Sequence, residues 1–499
     1  VFDWLKRIRA AARRRRASEG RGLAYRLLRA KPAYGLAGKF DSARTTEDNR
    51  RHWAKADGLS ADAAASAEVR RILRNRSRYE VANNAYARGI VLTLANDVVG
   101  TGPRLQMLSD EADANRRIER AFVEWAREVG LAEKLRTMRM ARAQDGEAFA
   151  MLVSNSRLDS PIQLDLRLIE AEQVATPDLL PDEAQGVDGI VFDPFGNPAE
   201  YHVLKEHPGG NRFRVGLDYD TVPAEAMIHW FRSDRPGQSR GLPDILPALP
   251  LFAQLRRFTL AVVAAAETAA EFAGVLYTDA PPSGEADPIE PMDAIELEKR
   301  MLLTMPGGWK MGQVHAEQPA TTYAEFKNQI LNEIARCLNM PFNIAACNSS
   351  GYNYASGRLD HQTYFKSIRV EQAHLGAVVL DRVLEAWMRE AARVFDLRWL
   401  LLNRRGRFAH QWFWDGHEHV DPAKEAMAQE RRLASNTTTL AMEYAKLGLD
   451  WEEQLRQRAK EKRLMEELGL AAAEALPKPK GRDKKTDDAG KKETDRAAA

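Results

Sequence analysis

Between Phe326 and Arg393 the chain has few ways to fold, because Pro341 is the only proline in that span. Ile330, Ile334 and Leu338 follow Phe326 at four-residue steps, the apolar stripe of a helix. Pro341 ends that helix, since proline lacks an N–H and clashes with the preceding turn. A polar loop follows from Cys347 to Ser356, with two Asn, three Ser, Gly351, Tyr352 and Tyr354. A second helical pattern opens near Ser356 and runs to about Arg393. Such a loop cannot bury a core, so it is predicted at the surface. Loops held by rigid elements are where function collects, but from the residues alone a plain helix–helix connection is the expectation.

Composition sets the outer bounds. With 499 residues and 44% hydrophobic content, the chain suits two or more packed regions rather than one core. Lys and Arg number 73 against 71 acids, leaving +2. That balance argues against a protein whose main work is gripping nucleic acid by its phosphates. Cys337 and Cys347 form neither a CxxC nor a zinc pattern, so free thiols in a reducing compartment are expected. The first twenty residues are too basic for a secretory signal. The longest apolar run, Phe258 to Ala266, is too short to span a bilayer, which predicts a soluble protein.

Residues 1–30 hold ten bases and two acids, with Phe2, Leu5 and Ile8 at helical spacing. They read as a solvated basic arm, or as an arm touching DNA or an assembly partner. Residues 31–75 are polar and mixed, and order is expected from Arg76. Tyr79 to Val99 reads as one helix, closed by Gly100 and Pro103. Ile118, Phe122, Trp125 and Val129 form a helical stripe, and a third helix is expected from about Ala132 to Ala143. From Gly146 the period becomes two. Ile162 to Leu168 alternates as a strand, Gly189 to Leu204 reads as a hairpin turning at Pro194–Pro198, and Met227 to Phe231 is a strand. This β-rich section is acidic, with fourteen acids and four bases between Asp159 and Glu225.

The Arg- and Gly-rich segment Arg232 to Pro243 invites comparison with a phosphate cradle. It lacks a Gly-Lys-Ser/Thr ending, so a structural turn is the expectation. Leu251 to Ala273 follows as a helix of ~35 Å. Its eight alanines keep it thin, which suits side-by-side packing of copies; a buried core helix of a monomer is the alternative. Strand-like pieces at 274–277 and 302–305 flank a Pro- and acid-rich stretch, and a further one lies at 398–402. His410, Asp415, His417, Glu418, His419 and Asp421 crowd one segment. They show no HxxxH or HExxH spacing, so no metal is expected there. Residues 422–468 read as helical, and the composition turns to Ala, Lys, Asp and Pro from Ala471. No P-loop, GxSxG elbow or dinucleotide fingerprint stands out.

Several separated motifs resemble the lambda-like family of tailed-phage portal proteins. They are Asn-Asn-Ala-Tyr-Ala-Arg-Gly-Ile at 83–90, Val-Val-Gly-Thr-Gly-Pro-Arg-Leu-Gln at 98–106, and Gly-Ile-Val-Phe-Asp with Gly-Asn-Pro-Ala-Glu-Tyr at 189–201. The same holds for Arg-Pro-Gly-Gln-Ser-Arg-Gly-Leu-Pro at 235–243, Asn-Tyr-Ala-Ser-Gly-Arg at 353–358, Trp412, Trp414 with Val-Asp-Pro at 420–422, and Leu-Gly-Leu-Asp-Trp-Glu-Glu at 447–453. The likeness spans roughly residues 70 to 470. It implies a mostly helical α+β portal fold with a β-rich wing, a helical stem, a small clip and a helical crown.

In these terms residues 1–75 form a basic, partly disordered arm, 76–241 the wing, 242–274 the first stem helix and 275–322 the clip. Residues 323–341 form the second stem helix, 342–356 the tunnel loop, 357–421 the long helix and return to the wing, 422–470 the crown and 471–499 a disordered tail. The resemblance further implies a non-enzymatic ring, dodecameric in the family, at one capsid vertex of the virion, assembled in the host cytoplasm. Double-stranded DNA would pass through it without sequence readout. Its partners would be the terminase motor, major capsid and scaffold proteins, and neck and tail proteins. No cofactor, metal or membrane is implied. Asn348, Ser349, Ser350, Tyr352, Asn353 and Tyr354 are the expected tunnel-loop residues, and Arg256 and Arg257 the expected stem surface. Two other readings stand beside this one. One is a metal-dependent nuclease using the His/Asp cluster near residue 415; the other is the terminase motor, which the missing P-loop tells against.

Overall fold

The computed structural model describes residues 46–109, 111–176, 186–210, 218–271, 275–278, 309–312, 322–395, 409–416 and 422–470. The arm before residue 46, the tail after 470, and the strand-like pieces at 302–305 and 398–402 therefore lie outside the described residues. The chain divides into two units, Val1–Ser60 and Ala61–Ala499. In the first, Thr46 and Asn49 form a reciprocal capping box on the short helix Glu47–Arg50, and His52 meets Trp53 edge-on at 4.5 Å.

The second unit begins its long elements earlier than the sequence pattern suggests. Helix α1 spans Ala67–Asn83, starting nine residues before Arg76, and its buried face is polar: Arg70, Arg74, Ser77 and Glu80. Ion pairs hold it, from Arg70 to Asp188, Arg74 to Glu172 (3.5 Å) and Arg78 to Asp145 (2.6 Å). Helix α2, Ala85–Val99, is separate rather than continuous with it. Asn84 adopts an extended backbone and accepts from the N–H groups of Tyr86 and Ala87, so it caps a new helix. Strand β1, Arg104–Met107, follows.

Helix α3, Ala112–Glu128, buries the expected Ile118, Phe122 and Trp125, and helix α4 spans Leu131–Asp145. Trp125 donates its indole N–H to the Leu164 carbonyl at 2.8 Å, which satisfies the one polar atom of a buried ring. Strands β2 (Glu147–Ser154) and β3 (Leu164–Ile169) begin the β-rich section. They are followed by β4 (Gly186–Val187), β5 (Ile190–Phe192), β6 (Pro198–Leu204), β7 (Tyr219–Pro223) and β8 (Met227–Phe231). Two antiparallel sheets result, in the orders β3-β2-β8 and β4-β5-β6-β7. The Asp193–Asn197 turn joins β5 to β6, as the hairpin pattern predicts.

The Arg/Gly segment is a structural turn. Gly146 has φ +94°, and a Cβ there would sit 2.5 Å from the Leu242 carbonyl carbon; one on Gly241 would sit 2.1 Å from the Gly146 oxygen. Only glycine allows these two backbones to touch. That contact delivers the fully buried Arg240 to Glu147, whose carboxylate accepts from Arg240 Nη2 at 2.7 Å and Nε at 2.9 Å. Arg240 further donates to the carbonyls of Val174 and Ala171, both at 3.1 Å. Every nitrogen of the Arg240 side chain is thus bonded within the protein.

Helix α5 spans Leu249–Glu271, slightly ahead of the expected 251–273. Strands β9 (Val275–Thr278) and β10 (Trp309–Gly312) pair antiparallel, and helix α6 spans Thr322–Cys337. A single helical turn, Phe342–Ala345, follows Pro341. Helix α7, Tyr354–Leu375, passes through a π turn at Gly376–Leu380 directly into helix α8, Asp381–Val394. Strand β11, His410–Phe413, returns to pair antiparallel with β1, and helices α9 (Pro422–Ala434), α10 (Leu440–Lys446) and α11 (Trp451–Glu467) close the chain. The main core gathers α2, α3, α4, α6, α7 and α8, with Phe122 5.3 Å from both Trp125 and Trp387.

Candidate functional site

Helices α5 and α6 form an antiparallel hairpin. Near the top, the Phe258 ring packs on Tyr323 and Phe326 at 5.7 and 4.4 Å; at the foot, the Cys337 thiol donates to the Asp244 carbonyl at 3.3 Å. Burial pushes the Cys337 thiol up, so it stays protonated and unreactive. Phe252 and Leu255 on α5 and Ile330, Leu331, Ile334 and Ala335 on α6 are buried. Further along α5 the apolar side chains come out into solvent: Leu260 is 62% and Val263 48% exposed.

By length and composition, Leu246–Glu267 could cross a membrane, with mean hydropathy 1.3 and 22% of it buried, a point the shorter run Phe258 to Ala266 did not reveal. Arg256 and Arg257 fall at its midpoint. A charged side chain at the bilayer centre costs roughly 2.5–3.5 kcal/mol on insertion scales, so the face reads better as one made for protein.

The two expected stem-surface arginines behave differently. Arg256 lies over the Tyr79 ring at 5.6 Å with Nη1 3.4 Å from its hydroxyl. Arg257 is exposed, and no ion pair to it is found among the described residues. On α6, Lys327 sits over Tyr86 at 5.2 Å, so cations on both helices rest on tyrosines of α1 and α2.

The loop after α6 is short and locally ordered. Cys347 takes a left-handed φ of +51°, the Asn348 N–H donates to the Asn343 carbonyl, and the Ser350 N–H donates to Asn348 Oδ1. Asn348, Ser349, Ser350 and Gly351 are exposed, and Tyr352 is half-buried. Its far end runs into α7. Asn353 forms a capping box with Ser356, so it holds the start of α7 rather than standing free. Tyr354 is the first residue of α7 and so is not in the loop; its side chain lies outside the description.

Beneath the loop, α7 is anchored to α2. The Tyr364 hydroxyl donates to Asp97 at 2.6 Å, and burial together with the Asp97 charge raises its pKa, so the proton stays. Asn343 and His361 meet at 3.0 Å, bracing the single turn against α7. The result is a polar finger on a rigid base.

Two members of the cluster near residue 415 are described, and both are engaged. His410 meets Asp381 at 3.1 Å, and Asp415 accepts from the Thr101 N–H and hydroxyl at 2.5 and 2.7 Å; His417, Glu418, His419 and Asp421 lie outside the described residues. Glu170, Glu172 and His207 do lie close enough to share an ion. Glu172, however, already pairs with Arg74 and Arg78. His207 Nδ1 accepts from the Gly209 N–H, which leaves the proton on Nε2, facing Glu170 at 3.2 Å. Among the described residues, the carboxylates and histidines of both places are taken up by contacts within the protein.

At the other end, the three last helices bury little apolar surface of their own. No residue of α9 or α11 is buried, and Glu443 of α10 is held by Arg432 (3.3 Å) and Lys446 (2.7 Å). Their seat on the body is narrow: Arg104 donates to the Gly448 carbonyl at 2.9 Å, and a Cβ on Gly448 (φ +71°) would meet the Trp414 oxygen at 2.4 Å.

A helical hairpin with an exposed apolar face, an ordered polar loop and a polar-seated terminal bundle make up the candidate site of a mostly helical α+β protein. Residues 46–372 match the family described as phage portal protein, lambda family, and the chain belongs to that family, a structural one. It is 20% identical over 446 residues to portal protein B of Escherichia phage lambda, covering 76% of this chain and 81% of that protein. It is likewise 20% identical over 454 residues to the portal protein of Escherichia phage N15, covering 78% and 83%. Among solved structures, a chain from the neck of an empty gene transfer agent (GTA) particle matches at 14% identity and a TM-score of 0.46, over 79% of this chain and 99% of that one.

Proposed function

We propose that copies of this chain close into a ring at one capsid vertex, through which double-stranded DNA is driven during packaging and later leaves. The observation that carries this reading is the exposed apolar face of α5, Leu260 and Val263, which has no partner among the described residues and which a ring of copies would cover. In this reading 76–241 is the wing, α5 and α6 the stem, 275–322 the clip facing the terminase motor and then the neck, and 422–470 the crown. The crown's lack of buried apolar residues fits helices whose packing partners are their counterparts in neighbouring copies. The major capsid and scaffold proteins would meet the wing, and assembly would take place in the host cytoplasm. The chain would carry out no reaction of its own.

A channel for DNA of any sequence has no use for base readout, and a strongly basic lining would hold the duplex by its phosphates. The loop with Asn348, Ser349, Ser350 and Tyr352 carries no charge and offers only steric and hydrogen-bonding contact. Electron microscopy of the purified protein should show rings with a central hole. Replacing residues 348–352 by a Gly/Ser linker, which spares the Asn353 cap, should change the length of genome packaged. Unchanged length would remove the loop from the mechanism.

A further inference from the structure

The ring reading leaves open which side chains join one stem to the next, and the register of the hairpin points to a pair. Phe258 lies between Tyr323 and Phe326, so its level on α6 falls at residues 324–325. Stepping one residue toward the foot of α5 reaches Arg257, and the matching antiparallel step on α6 reaches Glu325, each about 1.5 Å along its helix. Arg257 and Glu325 therefore stand at one height. They also stand on opposite outer faces. At 100° per residue, Arg257 points away from the buried Phe252 and Leu255, and Glu325 away from the buried Leu331 and Ile334. Both are exposed, and neither has an ion-pair partner among the described residues.

A closed ring relates its copies by rotation alone, through a heterologous contact in which one face meets a different face of the neighbour. Stem hairpins standing along the axis then meet at equal height, outer face of α5 against outer face of α6. We propose that Arg257 forms an inter-subunit ion pair with Glu325 of the next copy, beside the apolar contact made by Leu260 and Val263. This rests on the ring reading above. Arg256 is unsuited to the role because Tyr79 of its own chain already holds it.

The test is a charge swap in the full-length protein: R257E, E325R and the double variant, each checked for wild-type circular dichroism, with ring content counted by electron microscopy and native mass. Each single reversal places like charges together and should lose most rings to smaller species, and the double should recover them. Single variants that keep wild-type ring content, or a double that fails to recover, would overturn the pairing. A wild-type protein that never forms rings would instead overturn the ring reading itself.

Discussion

Replacing Glu147 by glutamine removes one negative charge from a site that water does not reach. Glu147 and Arg240 are both fully buried, and the carboxylate accepts from Arg240 Nε and Nη2, from the Gly241 N–H at 3.1 Å and from His229 Nε2 at 3.0 Å. Burial alone would raise the Glu147 pKa; Arg240 and His229 outweigh it and hold the group well below the usual carboxylate range. Burial likewise lowers the His229 pKa, so the ring is neutral and donates through Nε2. Glutamine keeps the shape, leaves Arg240 charged and points an amide at other donors. Breaking a buried pair this way costs about 3–5 kcal/mol. The surface pair Glu385–Arg389 has a similar length, 2.6 Å, at 48% and 63% exposure. Its E385Q variant should cost only about 0.3–0.5 kcal/mol, because solvent screens it. Denaturant unfolding followed by tryptophan fluorescence reports on both, since Trp125, Trp230 and Trp387 are fully buried. Equal losses in the two variants would refute the argument that burial, not distance, sets the worth of the pair.

Two more outcomes are expected. Glu119 accepts from the Met107 N–H at 2.7 Å, yet burial and the charges of Asp450, Glu452 and Glu453 push its pKa up to about 7. A raised carboxyl pKa gives stability that is fully present below the unfolded value of 4.5 and lost as pH rises through about 7. Thermal midpoints should therefore fall between pH 5 and 8, and E119Q should flatten that slope; an unchanged slope in E119Q would assign it to other groups. G448A puts a methyl against the Trp414 carbonyl at a left-handed φ, so amide exchange in α10 and α11 should quicken while the α2–α8 core keeps its protection. Equal exchange in both regions would mean that the seat of the last helices does not depend on that close approach.

What the residues announced in advance follows from how local the cause was. The stripe Ile118, Phe122, Trp125 and the proline-free span before Arg393 name their helices because apolar spacing and the absence of a breaker act within a few turns. Strand β8 at Met227–Phe231 was legible for the same reason. Helix α1 was not, since its buried face is arginine. Its partners Asp188, Glu172 and Asp145 are far away in sequence, so apolar periodicity has nothing to detect. The break at Asn84 hid inside a continuous helical pattern, and only its capping bonds reveal it. The polar loop could be found from composition, but the capping role of Asn353 needed coordinates. Arg257 stood out only as half of an Arg-Arg pair; the opposing Glu325 becomes visible when the hairpin register is known.

The π turn at Gly376–Leu380 has a bearing on how this chain can vary. It takes up an extra residue in one wide turn, so that α7, which buries Tyr364 and Ile368, and α8, which buries Trp387 and Met388, both face the core. Removing a single residue there would close the wide turn to an ordinary one with both faces nearly unmoved, whereas removing one elsewhere in the rod would swing one half by about 100° relative to the other. Either the tyrosine that ties down the loop or the tryptophan at the aromatic centre would then face solvent, so length changes in this rod outside the π turn should survive only as compensated pairs.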